Sequence, residues 1–114
     1  MRHEMKLHKR PFEMIESGAK RYELRLFDEK RQRISVGDTI VFRMSDDSQR
    51  ILLVTVTGLH CFPDFASLYE ALPLSECGYC EKELSTASPH DMEAYYSPEE
   101  QALYGVVAIE VKVI

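Results

Sequence analysis

The chain has 114 residues, 45% hydrophobic and 29% charged, a mixture that fits one globular domain spanning residues 1–114 and excludes a long disordered or low-complexity protein. The longest apolar run, ILLV at Ile51–Val54, is far too short to span a bilayer, and MRHEMKLHKR at the start lacks the apolar centre of a secretory signal, so no membrane partner and a cytoplasmic location are expected. The net charge of −5 hides an asymmetry: residues 1–50 hold 12 Lys and Arg against 9 Asp and Glu, whereas residues 51–114 hold 2 against 10, so the first half can attract an anion that the average charge would repel.

In chain order, HEMKLH predicts a first strand and RPFEMIESG a short helix, with Pro11 tolerated in its first turn and Gly18 as its C-terminal cap. KRYELRLF predicts a second strand, with Tyr22, Leu24 and Leu26 on one face and Arg21, Glu23 and Arg25 on the other. The charged run DEKRQR, Asp28–Arg33, is expected to be solvated. A turn at Gly37-Asp38 then feeds a third strand, ISVGDTIVFRM, and SDDSQ is polar turn material before a fourth, RILLVTVTGLH, whose β-branched residues favour a pleated, buried setting.

Beyond His60 helices are expected. Asp64 is placed to cap FASLYEAL, which Pro73 ends, and Ser88-Pro89 and Ser97-Pro98 each set a capping hydroxyl before a first-turn proline. Ser97 with Glu100 forms a capping box, Gly105 closes that helix, and VVAIEVKVI alternates so that Val107, Ile109, Val111 and Val113 point inward while Ala108, Glu110 and Lys112 point outward. Five or six strands with two to four short helices and no strand-helix-strand rhythm predict an α+β domain whose mostly antiparallel sheet curls into a small β-barrel flanked by short helices.

The stretch GAKRYELR, Gly18–Arg25, carries the candidate chemistry. Arg25 can present a planar fork to a phosphate or carboxylate, Glu23 on the same face can orient that fork, and Lys20 lies at the strand mouth. Strict alternation places Lys20 on the opposite face from Glu23, so the three converge only if the chain twists or bulges near Lys20. The same residues could equally form a surface ion-pair cluster, worth about 0–1 kcal/mol per pair.

The pattern Gly18-x-Lys20-x-x-Glu23-x-Arg25, followed by Gly37-Asp38 before an apolar strand and by Gly105 before the closing VVAIEV, resembles the signature of the ASCH domain, a PUA-like fold. The resemblance runs from about residue 4 to the end as a spaced set of short motifs. It implies a β-barrel flanked by helices, a cleft lined by Lys20, Glu23 and Arg25, and RNA, nucleotide or nucleoside ligands; Lys9 and Arg10, in the basic first half, are candidate rim contacts, and no cofactor is expected. It also implies an alternative, a hydrolase in the same cleft with Lys20 and Glu23 as the catalytic pair, since some relatives are ribonucleases and some small ones deacetylate acetylcytidine. The amidohydrolase relatives carry threonine at the position of Glu23. A hydroxyl can attack as a nucleophile, whereas a carboxylate serves first as a base or orienter, and its charge keeps Lys20 protonated.

The remaining reactive residues are scattered. Cys77 and Cys80 in CGYC have the spacing of half a zinc site, but a closed site needs two more ligands from among His60, Cys61 and His90; reduced thiols in apolar surroundings, with no metal, are the expectation. His8 either borders the cleft or faces solvent from the end of the first strand. Tyr95, Tyr96 and Tyr104 either stack bases or anchor short helices onto the sheet.

Overall fold

The computed structural model describes all of residues 1–114. Five strands, β1 (Arg2–Leu7), β2 (Tyr22–Leu26), β3 (Thr39–Met44), β4 (Asp47–Phe62) and β5 (Val106–Val113), form one sheet in the order β1-β3-β4-β5-β2. Three of its pairings are antiparallel and one, β1 with β3, is parallel. The sheet curls into a half-barrel, in keeping with the α+β barrel expected from sequence, and the strands at its two edges are β1 and β2. The seam between those edges, which no backbone ladder closes, is where the charged residues lie.

Four helices accompany the sheet: α1 (Lys9–Ser17), α2 (Glu29–Gln32), α3 (Phe65–Ala71) and α4 (Pro98–Tyr104). On α1, Phe12 and Ile15 are buried against the inner face of the sheet with Ile40, Phe42, Val54, Val56, Val107 and Ile109. The helix stops because Gly18 takes a left-handed conformation, φ +87°, and its N–H bonds back to the Ile15 carbonyl. Asp64 and Ser97 cap α3 and α4 as expected, accepting from Ser67 N at 2.8 Å and Glu100 N at 3.1 Å. Between α3 and α4 the chain makes three short 3₁₀ turns, Leu74–Glu76, Glu81–Thr86 and Pro89–Ala94.

A second core on the outer face joins Leu24, Leu26, Val106 and Ala108 to Phe65, Leu68, Tyr69 and Cys77. This explains two departures from simple alternation on β5: Ala108, expected outward, is fully buried under α3, while Val113, expected inward, is exposed at the strand end. Two loop expectations also change. Asp28 caps the short helix α2, its carboxylate accepting from Arg31 N and Arg31 Nη1. The turn in SDDSQ is confined to Ser45-Asp46, because Met44 and Asp47 pair directly and Asp47–Gln49 extend β4.

Candidate functional site

The site begins with the end of α1. After Gly18 the chain doubles back, Lys20 N donating to the Met14 carbonyl at 3.0 Å and Arg21 N to the Glu76 carbonyl at 2.8 Å. Lys20 and Arg21 therefore precede the ladder that starts at Tyr22, and the alternation of a strand does not govern Lys20. Within β2, Glu23 lies opposite Ile109 and Arg25 opposite Val107, which puts both on the inner face beside the first core.

The three side chains meet. Lys20 Nζ donates to Glu23 Oε1 at 2.8 Å, Arg25 Nε donates to Glu23 Oε2 at 2.7 Å, and Arg25 Nη2 reaches across the seam to the Lys6 carbonyl of β1 at 2.9 Å. Lys20 is 8% exposed and Glu23 4%, so this is a desolvated cluster and not the surface pairing that the motif alone also allowed. Burial by itself would push the Glu23 carboxyl up, but the charges of Lys20 and Arg25, with the hydrogen bonds they donate, outweigh it and hold the group below its ordinary value. Burial likewise opposes the Arg25 charge, and Glu23 more than offsets it.

Donor capacity is left over. The Lys20 ammonium makes one hydrogen bond of a possible three, and Arg25 Nη1 has no protein partner yet keeps contact with solvent. Both residues line a cavity of about 450 Å³ at the seam. One wall is Lys6, Leu7 and His8 at the end of β1 with Arg10, Pro11 and Met14 of α1; the other is the segment between α3 and α4, contributing Gly78, Tyr79, Glu83, Asp91, Tyr95 and Tyr96 among others. Arg10 Nη1 bonds Glu83 Oε2 at 3.1 Å, and Arg10 Nη2 bonds Glu83 Oε1, so an exposed ion pair joins the two walls at the lip. Lys9 lies outside this lining and borders, with Glu13 and Ser17, an adjoining open depression that shares Arg10 and Met14 with the cavity.

CGYC forms part of the wall. Gly78, with φ +111°, lies directly over Lys20, and a β-carbon there would sit 3.5 to 3.7 Å from the end of the lysine chain. Cys77 is buried in the outer-face core, which pushes its thiol up to about 11, whereas Cys80 is exposed. Of the other candidate zinc ligands, His60 is bonded to Glu110, His90 is paired with Glu93 and Cys61 is exposed; no group of three or more His, Cys, Asp or Glu side chains gathers to hold a metal ion. His8 borders the cavity, with its Nδ1 3.2 Å from Ser45 Oγ. The aromatics divide: Tyr96 stacks on Phe65 with ring centroids 6.1 Å apart, Tyr95 stands largely in solvent at the rim, and Tyr104 lies outside the lining.

Two wall residues carry no signal in sequence. Tyr79 OH donates to Asp91 Oδ2 at 2.8 Å and lies 2.7 Å from Tyr69 OH, a chain of polar groups that fastens the 3₁₀ turns to α3. Burial, with these bonds, pushes the Tyr79 hydroxyl well above its ordinary value and keeps it neutral. No local motif joins these residues, which lie 10 and 12 positions apart in the chain and meet only through the fold.

The fold is thus a small α+β half-barrel of five strands with a buried lysine and glutamate and a half-buried arginine at its open seam. Residues 5–114 match the family model of the ASCH domain, and the chain belongs to that family. Among solved structures, hypothetical protein PH0355 is similar with a TM-score of 0.82 and 33% identity over 100% of both chains. Protein PF0455 from Pyrococcus furiosus has a TM-score of 0.73 and 31% identity, covering 100% of this chain and 98% of its own. A mutant of the ASCH protein of Zymomonas mobilis, at 13% identity, shares the fold with a TM-score of 0.66 over 96% of this chain and 67% of its own. None of the curated proteins matches.

Proposed function

We propose that this protein binds RNA, or a single nucleotide or nucleoside, in the seam cleft, with Lys20 and Arg25 donating to a phosphate or carbonyl oxygen and Glu23 holding both cations in place. The observation that carries this reading is the surplus of donors on a buried ammonium and a half-buried guanidinium at the floor of an open cavity of about 450 Å³, a size within the range of small-molecule sites. Arg10 at the lip, with Lys9 beside it on α1, extends the basic surface for a flanking phosphate. Membership of the ASCH family supports a nucleic-acid ligand.

A hydrolase in the same cleft would use Lys20 and Glu23 as its acid-base pair. Both Glu23 oxygens are already engaged by cations and the carboxyl is held ionised, whereas a general base works best with a pKa near the operating pH. The geometry therefore favours binding over turnover. Labelled RNA and acetylcytidine incubated with the protein test the alternative: product that forms with wild type and vanishes in Glu23→Gln would overturn this preference.

The binding reading is tested by titrating single-stranded RNA at several salt concentrations. Three phosphate contacts predict a slope of log affinity on log salt of about −2, and loss of one contact flattens it by about 0.7. Lys20→Ala and Arg25→Ala, checked for folding by their melting curves, should each weaken binding. Undetectable binding at low salt, or affinity indifferent to both substitutions, would refute the proposal.

A further inference from the structure

Tyr95 is 67% exposed, although it lines the rim of the cleft beside the half-buried Tyr96. Its backbone is fixed, since both Tyr95 N and Tyr96 N donate to the Met92 carbonyl at 3.0 Å, and Gln101 Nε2 holds the Tyr96 carbonyl at 3.2 Å. Its ring is not: the Tyr95 hydroxyl has no hydrogen bond within the protein, and one ring face lies tilted at 54° to Tyr96 with centroids 6.5 Å apart. Tyr96 in turn stacks at 18° on Phe65, which is fully buried. Phe65, Tyr96 and Tyr95 thus make an aromatic stair that starts in the outer-face core and ends at the cavity rim. Tyr96 lines the same cavity as Lys20 and Arg25, so the middle step stands beside the cationic floor.

A ring left exposed on a rigid backbone, beside a cavity whose floor offers N–H donors, is arranged to meet a ligand with two parts. One part is an oxygen-rich group for Lys20 and Arg25, and the other is a flat π surface for Tyr95. We propose that Tyr95 is a binding residue that stacks against an unpaired nucleobase while the sugar-phosphate or carbonyl portion reaches the cations; this rests on the nucleotide-binding reading above. Stacking on tyrosine is tolerant of base identity because every base has a π face, so Tyr95 contributes affinity for unpaired over paired strands and little choice among bases.

The test uses the full chain and a short single-stranded RNA carrying 2-aminopurine, whose fluorescence is quenched on stacking; the protein has no tryptophan to interfere. Wild type and Tyr95→Phe should bind with similar affinity and quench the probe. Tyr95→Ala should weaken binding by about 5- to 150-fold, the usual effect of removing one stacking ring, lose the quench and keep the salt slope, since no charge is removed. Leu103→Ala, at an equally exposed apolar residue away from the cavity, should change nothing. If Tyr95→Ala binds and quenches like wild type while Lys20→Ala weakens binding, the stacking role is wrong and the cleft reading stands. If wild type fails to bind the probe at low salt, the cleft reading and the stacking role fall together.

Discussion

Replacing Glu23 by glutamine removes the one anion between two desolvated cations. Lys20 and Arg25 side chains are 9% and 15% exposed, and Glu23 accepts a hydrogen bond from each, at 2.8 and 2.7 Å. Glutamine keeps the shape and one acceptor oxygen, but its amide turns N–H donors toward a cation. Breaking a buried ion pair from one side costs about 3–5 kcal/mol because the remaining charge stays buried without a counterion. Against a total stability of about 5–15 kcal/mol for a domain, that is a large fraction, and at roughly 4 °C per kcal/mol it lowers Tm by about 12–20 °C. The assay is thermal and urea unfolding followed by far-UV circular dichroism at pH 7. The pH dependence carries the same information with a definite sign. The folded-state pKa of Glu23 lies below its ordinary value of 4.5, so its contribution is complete above that value and is lost as pH falls through the folded-state value. Wild type should therefore lose stability below about pH 4.5, and Glu23→Gln should lose less over the same interval. A Glu23→Gln protein within about 1 kcal/mol of wild type at pH 7, the range of exposed pairs, would refute the idea that this cluster is desolvated.

Two other outcomes follow from the cleft walls. Glu83→Gln cuts the exposed pair with Arg10 and removes a negative charge from the lip; Tm should change little, and RNA affinity at low salt should rise, so that a fall in affinity would contradict the placement of Arg10 at the ligand entrance. Alkylation with iodoacetamide at pH 8 should modify the exposed Cys80 well before the buried Cys77, whose thiol is pushed up to about 11; equal rates by mass spectrometry would contradict the packing of Cys77 in the outer-face core.

Much of the frame was legible in the sequence because its signals are local. Gly18, Asp64 and Ser97 mark helix ends through chemistry that acts within four residues, and β5 showed its inner face through Val107, Ile109 and Val111. Lys20, Glu23 and Arg25 were legible as a set, yet their convergence conflicted with strand alternation until the hydrogen bond from Lys20 N to Met14 placed Lys20 ahead of the ladder. What could not be read depends on distant partners. The strand order, in which β1 pairs only with β3 and β2 only with β5, makes β1 and β2 edges that face one another across a seam, and neither strand carries a local mark of it. The wall opposite α1 comes from residues 76–96, whose short 3₁₀ turns lack an amphipathic period. CGYC invited a metal reading from spacing alone, while its glycine serves the backbone, which takes a left-handed φ of +111° where it passes over the lysine chain. Ala108 defied alternation because α3 covers the outer face there.

The central claim is that the seam between β1 and β2 is where ligand binds, and chemical-shift mapping of isotopically labelled protein during titration with a short single-stranded RNA tests it most directly. The account predicts that the largest shifts fall on the Arg25 guanidinium Nε and on the backbone amides of Lys20, Gly78 and Tyr95, saturating together with the binding curve. Shifts gathered instead around His60 and Glu110 on the opposite side of β5, with the Arg25 Nε signal unmoved at saturation, would contradict it.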